Sequence, residues 1–119
     1  MRFATVNTPD GPRLHVRASE GYIDVAQATG DMRLVDVRAV LDADLSTMDT
    51  IRDVSTGHGR SLAEEEYAPA IPAPNRILCL GVNYVEHALE GGRQPTKWPE
   101  VFVRGADSIT SPYGELVKP

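Results

Sequence analysis

The amino-acid sequence predicts an α+β protein in two parts: a small N-terminal module of β-meander and helix over residues 1–70, and the opening strand–helix–strand stretch of a second domain over residues 71–119. Three observations lead there. Apolar residues alternate with period two through the first 24 positions, as in strands with one covered face. Between 34 and 54 they recur at spacings of three and four, the period of a helix. Nine prolines and ten glycines break the chain into short elements and disfavour a helical bundle.

Phe3, Thr5 and Asn7 fall on one strand face and Ala4 and Val6 on the other, before the turn signal Thr8-Pro9-Asp10-Gly11-Pro12. Leu14 and Val16 resume the pattern, and Tyr22-Ile23-Asp24-Val25 repeats it after a second turn at Ser19-Glu20-Gly21. Two or three short strands are expected. Leu34, Val37, Val40, Leu41, Leu45, Met48, Ile51 and Val54 then mark two short helices packed on the meander, with Asp36 and Ser46 as their N-caps. Ser61 and Glu64 have the spacing of a capping box, but no apolar helix follows, so one helical turn within a loop is expected. The acidic run Glu64-Glu65-Glu66 reads as a solvated face.

Residues 68–75 hold three prolines in eight positions and should be stiff and extended, which makes them the boundary between the two parts. Residues 76–81, Arg-Ile-Leu-Cys-Leu-Gly, form the continuous apolar run of a strand buried on both faces. Asn83 is placed to cap a short helix over 84–90 that stops at Gly91-Gly92, where glycine suits a left-handed C-cap. A second strand is expected over 101–104, and a turn with a short strand over 111–119. Only 44 residues follow position 75, too few to enclose a strand covered on both faces, so further chain or partner chains are expected to supply the missing walls.

Charge and cysteine usage narrow the classes of function. Net charge is −5, from 17 acidic against 12 basic residues, and Lys and Arg never cluster, so neither nucleic acid nor an anionic membrane is an expected partner. The single cysteine, Cys79, excludes an internal disulfide and fits a reducing, cytoplasmic compartment. The N-terminus has no signal-peptide pattern, and no apolar run approaches the ~20 residues that span a bilayer.

The chemistry centres on CLGVNYVEHALE, residues 79–90. His87 and Glu90 stand three apart and share a helix face, so the carboxylate can orient the imidazole and raise its basicity, as a general base for water requires. Spacing by itself is weak support, since roughly 0.4 such pairs arise by chance in a chain of this make-up. Asn83 and Tyr84 occupy the strand-to-helix turn, a common place for substrate-binding side chains. Arg104 ends the second strand, where its guanidinium could grip a carboxylate or simply lie on the surface. Cys79, inside an apolar run, reads as a buried structural thiol; His58 reads as a loop residue and His15 as half exposed on a strand. No metal-ligand spacing such as H-E-x-x-H or C-x-x-C occurs, so no metal ligand is assigned within the chain.

The succession APAIPAPNRILCLGVNYVEHALEGG, WPEVFVRGADSI and SPYGELVKP resembles the fumarylacetoacetate hydrolase family, in particular its short members with an MRFAT-type opening. Those carry a strand of the form I-x-x-[VL]-G-x-N-Y-x-x-H, a Glu three residues after that His, and a P-x-x-F-x-[KR] strand. The resemblance is specific over 74–119 and loose over 1–70. It implies a mixed β-roll, incomplete without further chain, and a Mg²⁺, Mn²⁺ or Ca²⁺ ion that helps hold a 1,3-diketo or 2-oxo acid of the acylpyruvate or fumarylpyruvate type for hydrolysis, decarboxylation or isomerisation. His87 matches the family's water-activating histidine, Glu90 its carboxylate partner, and Arg104 a position where many members have lysine. The family's metal ligands, a Glu-x-Glu pair and a later Asp, follow the position of Pro119, so the cation's ligands are expected outside this chain.

The leading expectation is therefore the N-terminal part of a metal-dependent hydrolase or decarboxylase, working as a homodimer or with a metal-binding C-terminal half. The rival is a non-catalytic assembly or regulatory subunit that retains the scaffold and pairs through exposed strand edges.

Overall fold

The computed structural model describes residues 1–94 and 96–118; position 119, the last of the expected second domain, lies outside them. The chain divides into two compact units, Met1–Pro72 with Ile109–Pro119, and Ala73–Ser108. The single boundary expected at 70–71 did not include a return of residues 109–118 to the first unit.

In the first unit β1 (Phe3–Thr8) and β2 (Gly11–Arg17) form an antiparallel hairpin with Thr8 opposite Gly11, so Pro9-Asp10 is a two-residue loop. Gly11 takes φ 104°, which a side chain would resist. A third strand, β3 (Tyr22–Asp24), pairs antiparallel with β2 to complete the sheet. It ends at Asp24 because that carboxylate accepts from the Gln27 amide at 3.0 Å and so caps α1 (Val25–Thr29). Val25, expected in the strand, is the first residue of this helix. Asp36 caps α2 (Val37–Leu41) by accepting from the Ala39 amide at 2.8 Å, as its spacing predicted. For α3 (Leu45–Val54) the cap is Asp44 and not Ser46: the Asp44 carboxylate accepts from the Thr47 amide at 2.8 Å and from the Ser46 hydroxyl at 2.9 Å. A charged acceptor one residue outside the helix reaches the free amides better than a hydroxyl already inside it.

The core joins Leu14 and Val16 of the sheet to Val25, Leu34, Val40 and Ile51 of the helical layer. The segment around Tyr67 pairs along the free edge of β1, with Tyr67 bridged antiparallel to Val6. The Ala68 amide donates to the Thr5 carbonyl at 2.9 Å, and the Thr5 hydroxyl to the Ala70 carbonyl at 2.9 Å. His15, which was expected to be half exposed, is buried opposite Asp24, whose carboxylate pairs with Arg13 at 2.8 Å. One 3-10 turn, Glu64–Glu66, forms as expected, yet Glu66 is not merely solvated. It accepts from the Ala63 amide at 2.8 Å and pairs with Arg60 at 2.6 Å, and these two contacts hold its carboxyl below the usual range. The Tyr67 ring meets Tyr22 edge-on at 6.1 Å and Tyr113 at 5.8 Å, and burial pushes its phenol up. Tyr113 belongs to a turn; the short strand expected after it is absent among the described residues.

The second unit holds β4 (Ile77–Gly81), α4 (Val85–Glu90) and β5 (Glu100–Arg104), with β4 and β5 paired antiparallel as a two-stranded ribbon. The expectation of a strand buried on both faces is corrected here. Leu78 and Leu80 are 66% and 54% exposed, and their cross-strand neighbours Val103 and Val101 are 63% and 56% exposed. The four make one aliphatic face with nothing on it. Cys79 points the other way and is half buried, not fully buried. Among the described residues no helix is long and apolar enough to cross a membrane.

The start of α4 also differs from expectation. Its N-cap is Tyr84 and no side chain caps it, so Asn83 lies one residue too early. Its end is a Schellman motif: the Arg93 amide donates to the Ala88 carbonyl at 2.8 Å and the Gly92 amide to the Leu89 carbonyl at 3.0 Å. The left-handed residue is Gly92, φ 67°, while Gly91 has φ −80°.

Two stability differences follow. Ile51→Ala should lower the unfolding free energy by about 2–5 kcal/mol in urea titration, whereas Leu45→Ala, on an exposed position, should stay within about 0.5 kcal/mol. An added methyl at Gly92 meets no atom, so Gly92→Ala should weaken the helix end by about 1 kcal/mol through backbone strain alone. Hydrogen exchange at the Arg93 amide would then quicken roughly fivefold, with Gly91→Ala as the tolerated control.

Candidate functional site

Antiparallel register places Gly81 opposite Glu100 and Ile77 opposite Arg104. The residues leaving β4 and those entering β5 are therefore brought together at one end of the ribbon. There they line a cleft of about 230 Å³ with Asn83, Tyr84, Lys97 and Trp98 among its walls. Val82, among its lining residues, has φ 46°, a left-handed conformation that a β-branched residue adopts only under strain. Such strain is on the order of 1–3 kcal/mol and persists where flanking structure fixes the backbone, here β4 before it and α4 beginning three residues after.

Asn83 and Tyr84, predicted as substrate-binding, both line this cleft and are exposed to solvent. His87 and Glu90 lie on α4, three residues apart and exposed, and among the described residues no ion pair joins them. Neither lines the cleft. Arg104 is at the far end of the ribbon, four residues from Glu100 and hence ~13 Å along the strand. Its guanidinium lies 5.9 Å from the Phe102 ring centre. Arg104 and the Asn83-Tyr84 turn are thus not brought together within the ribbon.

The cation that the cleft does hold is Lys97, whose ammonium sits 5.5 Å from the Trp98 ring centre. The Thr96 hydroxyl donates to the Trp98 carbonyl at 2.7 Å and ties that approach to β5. Sequence reasoning passed over Lys97 and Trp98, because an irregular, proline-flanked segment has no period to mark its facing side. Their exposure to the cleft comes from the strand pairing alone.

Among the described residues no group of three or more His, Cys, Asp or Glu side chains could hold a metal ion. A hard divalent cation takes about six oxygens, several from carboxylates, so these residues do not fit such an ion.

No family model matches the chain. Among curated proteins it is similar to oxaloacetate tautomerase FAHD2A, mitochondrial, of Homo sapiens, at 35% identity over 57 residues, 48% of this chain and 18% of that protein. It is similar to oxaloacetate tautomerase fahd2, mitochondrial, of Xenopus laevis, at 32% identity over 115 residues, 94% of this chain and 36% of the relative. A fumarylacetoacetate hydrolase domain-containing protein 2 homolog of Dictyostelium discoideum matches at 39% identity over 46 residues, 39% of this chain and 15% of that protein. The chain spans well under half the length of these curated relatives. The motif resemblance and these partial matches agree in supporting membership of the fumarylacetoacetate hydrolase family.

Proposed function

We propose that this chain contributes the general-base segment of a fumarylacetoacetate hydrolase-like enzyme acting on a small 1,3-diketo or 2-oxo acid by hydrolysis, decarboxylation or isomerisation. The observation that carries the reading is the turn Gly81-Val82-Asn83-Tyr84, strained at Val82, which lines a cleft with Asn83 and Tyr84 and leads directly into the helix of His87 and Glu90. The names of the human and frog relatives, oxaloacetate tautomerases, support a 2-oxo acid as the substrate class.

In this reading Asn83 and Tyr84 orient the acid. A neutral His87 imidazole takes a proton from water, or from the carbon next to the ketone. Glu90, a turn further on, orients the ring and stabilises its charge once its side chain rotates toward it. Arg104 keeps its expected place as a substrate-binding residue only if further polypeptide or a partner brings the acid to its end of the ribbon. The Mg²⁺, Mn²⁺ or Ca²⁺ implied by the family would take its ligands from outside residues 1–119, since the described side chains form no cage.

The uncovered face of Leu78, Leu80, Val101 and Val103 supports the same view. A two-stranded ribbon is marginal alone, and further strands of a β-roll, from a metal-binding half or a homodimer partner, would cover it. In this proposal residues 71–119 open the catalytic domain, and the protein works in a reducing, cytoplasmic setting consistent with its single Cys79.

The test joins or mixes the chain with a metal-binding half and assays acylpyruvate cleavage and oxaloacetate decarboxylation or tautomerisation. His87→Ala should lower kcat by about 10²–10⁴-fold, and Glu90→Gln should lower it less while moving the acidic limb of the pH profile, where a general base is lost by protonation, to lower pH. An unchanged rate in His87→Ala would remove the base. No turnover at all, with the chain sedimenting by itself as a defined dimer, would favour the non-catalytic assembly subunit.

A further inference from the structure

We infer that Lys97 and Trp98 form an anion-binding platform that selects an acid with a free carboxylate at the mouth of the cleft. The inference rests on the proposed reading only in taking that acid for the substrate. The charge of the cleft is one-sided: Lys97 is its cation, the Asn83 amide and Tyr84 hydroxyl offer further donors, and no Asp or Glu lines it. Two acids flank the cleft without lining it, Glu86 one residue past Val85 and Glu100 one past Pro99, and the Glu100 carboxylate lies between Gly81 and Arg93, 3.8 Å from the latter. A carboxylate entering here meets donors from the lining, while the nearest negative charge, Glu100, is shared with Arg93.

Trp98 adds shape to this charge. Its ring is 74% exposed, so its face is open to a flat group such as a conjugated enol or diketone. Lys97, held 5.5 Å from that ring, is kept beside the platform instead of ranging freely through solvent. The volume, about 230 Å³, lies below the ~300–1,000 Å³ typical of drug-sized ligands. It suits a small acid. Arg104, the cation that sequence reasoning put in this role, is at the other end of the ribbon.

Trp98 is the sole tryptophan of the chain, and Lys97 is one of two lysines, Lys118 being the other. Tryptophan fluorescence therefore reports this cleft directly, and Lys118→Met is a matched charge control. Titrating the full chain with malonate, a non-reacting dicarboxylate, should give a saturable change. Malonamide, its neutral counterpart, should give none. Lys97→Met should raise the malonate Kd tenfold or more, with Lys97→Arg restoring most of the affinity and Lys118→Met leaving it unchanged. The inference is overturned by the absence of a saturable change, by an equal response to malonamide, or by an unaltered Kd in Lys97→Met. None of these readouts involves turnover. A silent Lys97→Met beside an inactive His87→Ala would therefore discard the platform and keep the enzymatic reading, while the reverse pair would discard the base and keep the platform.

Discussion

The pairing of β4 with β5 is the constraint on which the candidate site depends. Because Gly81 stands opposite Glu100, the turn leaving one strand and the approach to the other must face each other, whatever the intervening chain does. Residues separated by more than a dozen positions thereby share one cleft. The same register puts Arg104 opposite Ile77, at the end remote from that cleft, so one set of backbone hydrogen bonds both assembles Asn83, Tyr84, Lys97 and Trp98 and excludes Arg104 from them. The strain at Val82 is a local consequence. The chain must leave the strand and enter α4 within three residues, and a valine takes the left-handed conformation that accomplishes it.

The first unit was legible because its signals are local. The Thr8-to-Gly11 hairpin follows from turn residues whose conformational needs are built into the residue types, and the cap at Asp36 from a carboxylate one position before an apolar period. The misreadings there are of the same scale. Asp44 displaced Ser46 as a cap because both fit the spacing within a residue or two and the stronger acceptor prevailed. Val25 continued an alternating pattern, yet Asp24 capped a five-residue helix too short to show a helical period. His15 is buried opposite Asp24 of the next strand, whose pairing with Arg13 no alternation within β2 could announce.

In the second unit the elements were legible and their surroundings were not. The apolar run at 76–81 marks a strand, and His87 and Glu90 fall on one short helix, as their spacing implied. A continuous apolar run also suggests cover on both faces, but cover is supplied by other parts of a fold and not by the strand itself. Lys97 and Trp98 were invisible for the complementary reason. They carry no periodicity, and their significance lies wholly in what the register places across from them.

These facts tie the cleft to the uncovered aliphatic face. The first unit has a core of six buried residues, whereas the ribbon leaves Leu78, Leu80, Val101 and Val103 in solvent and is held chiefly by its own hydrogen bonds. Such a ribbon gains its firmness from whatever packs on it. Covering that face stabilises the register of β4 against β5, and the register is what draws Asn83 and Tyr84 up to Lys97 and Trp98. The acid proposed for the cleft would stabilise the same pairing from the ribbon's end. Two binding events that favour one conformation strengthen each other by equal amounts. In the proposed reading, assembly of the ribbon with a cover and recognition of an acid would thus be linked through five residue pairs of backbone.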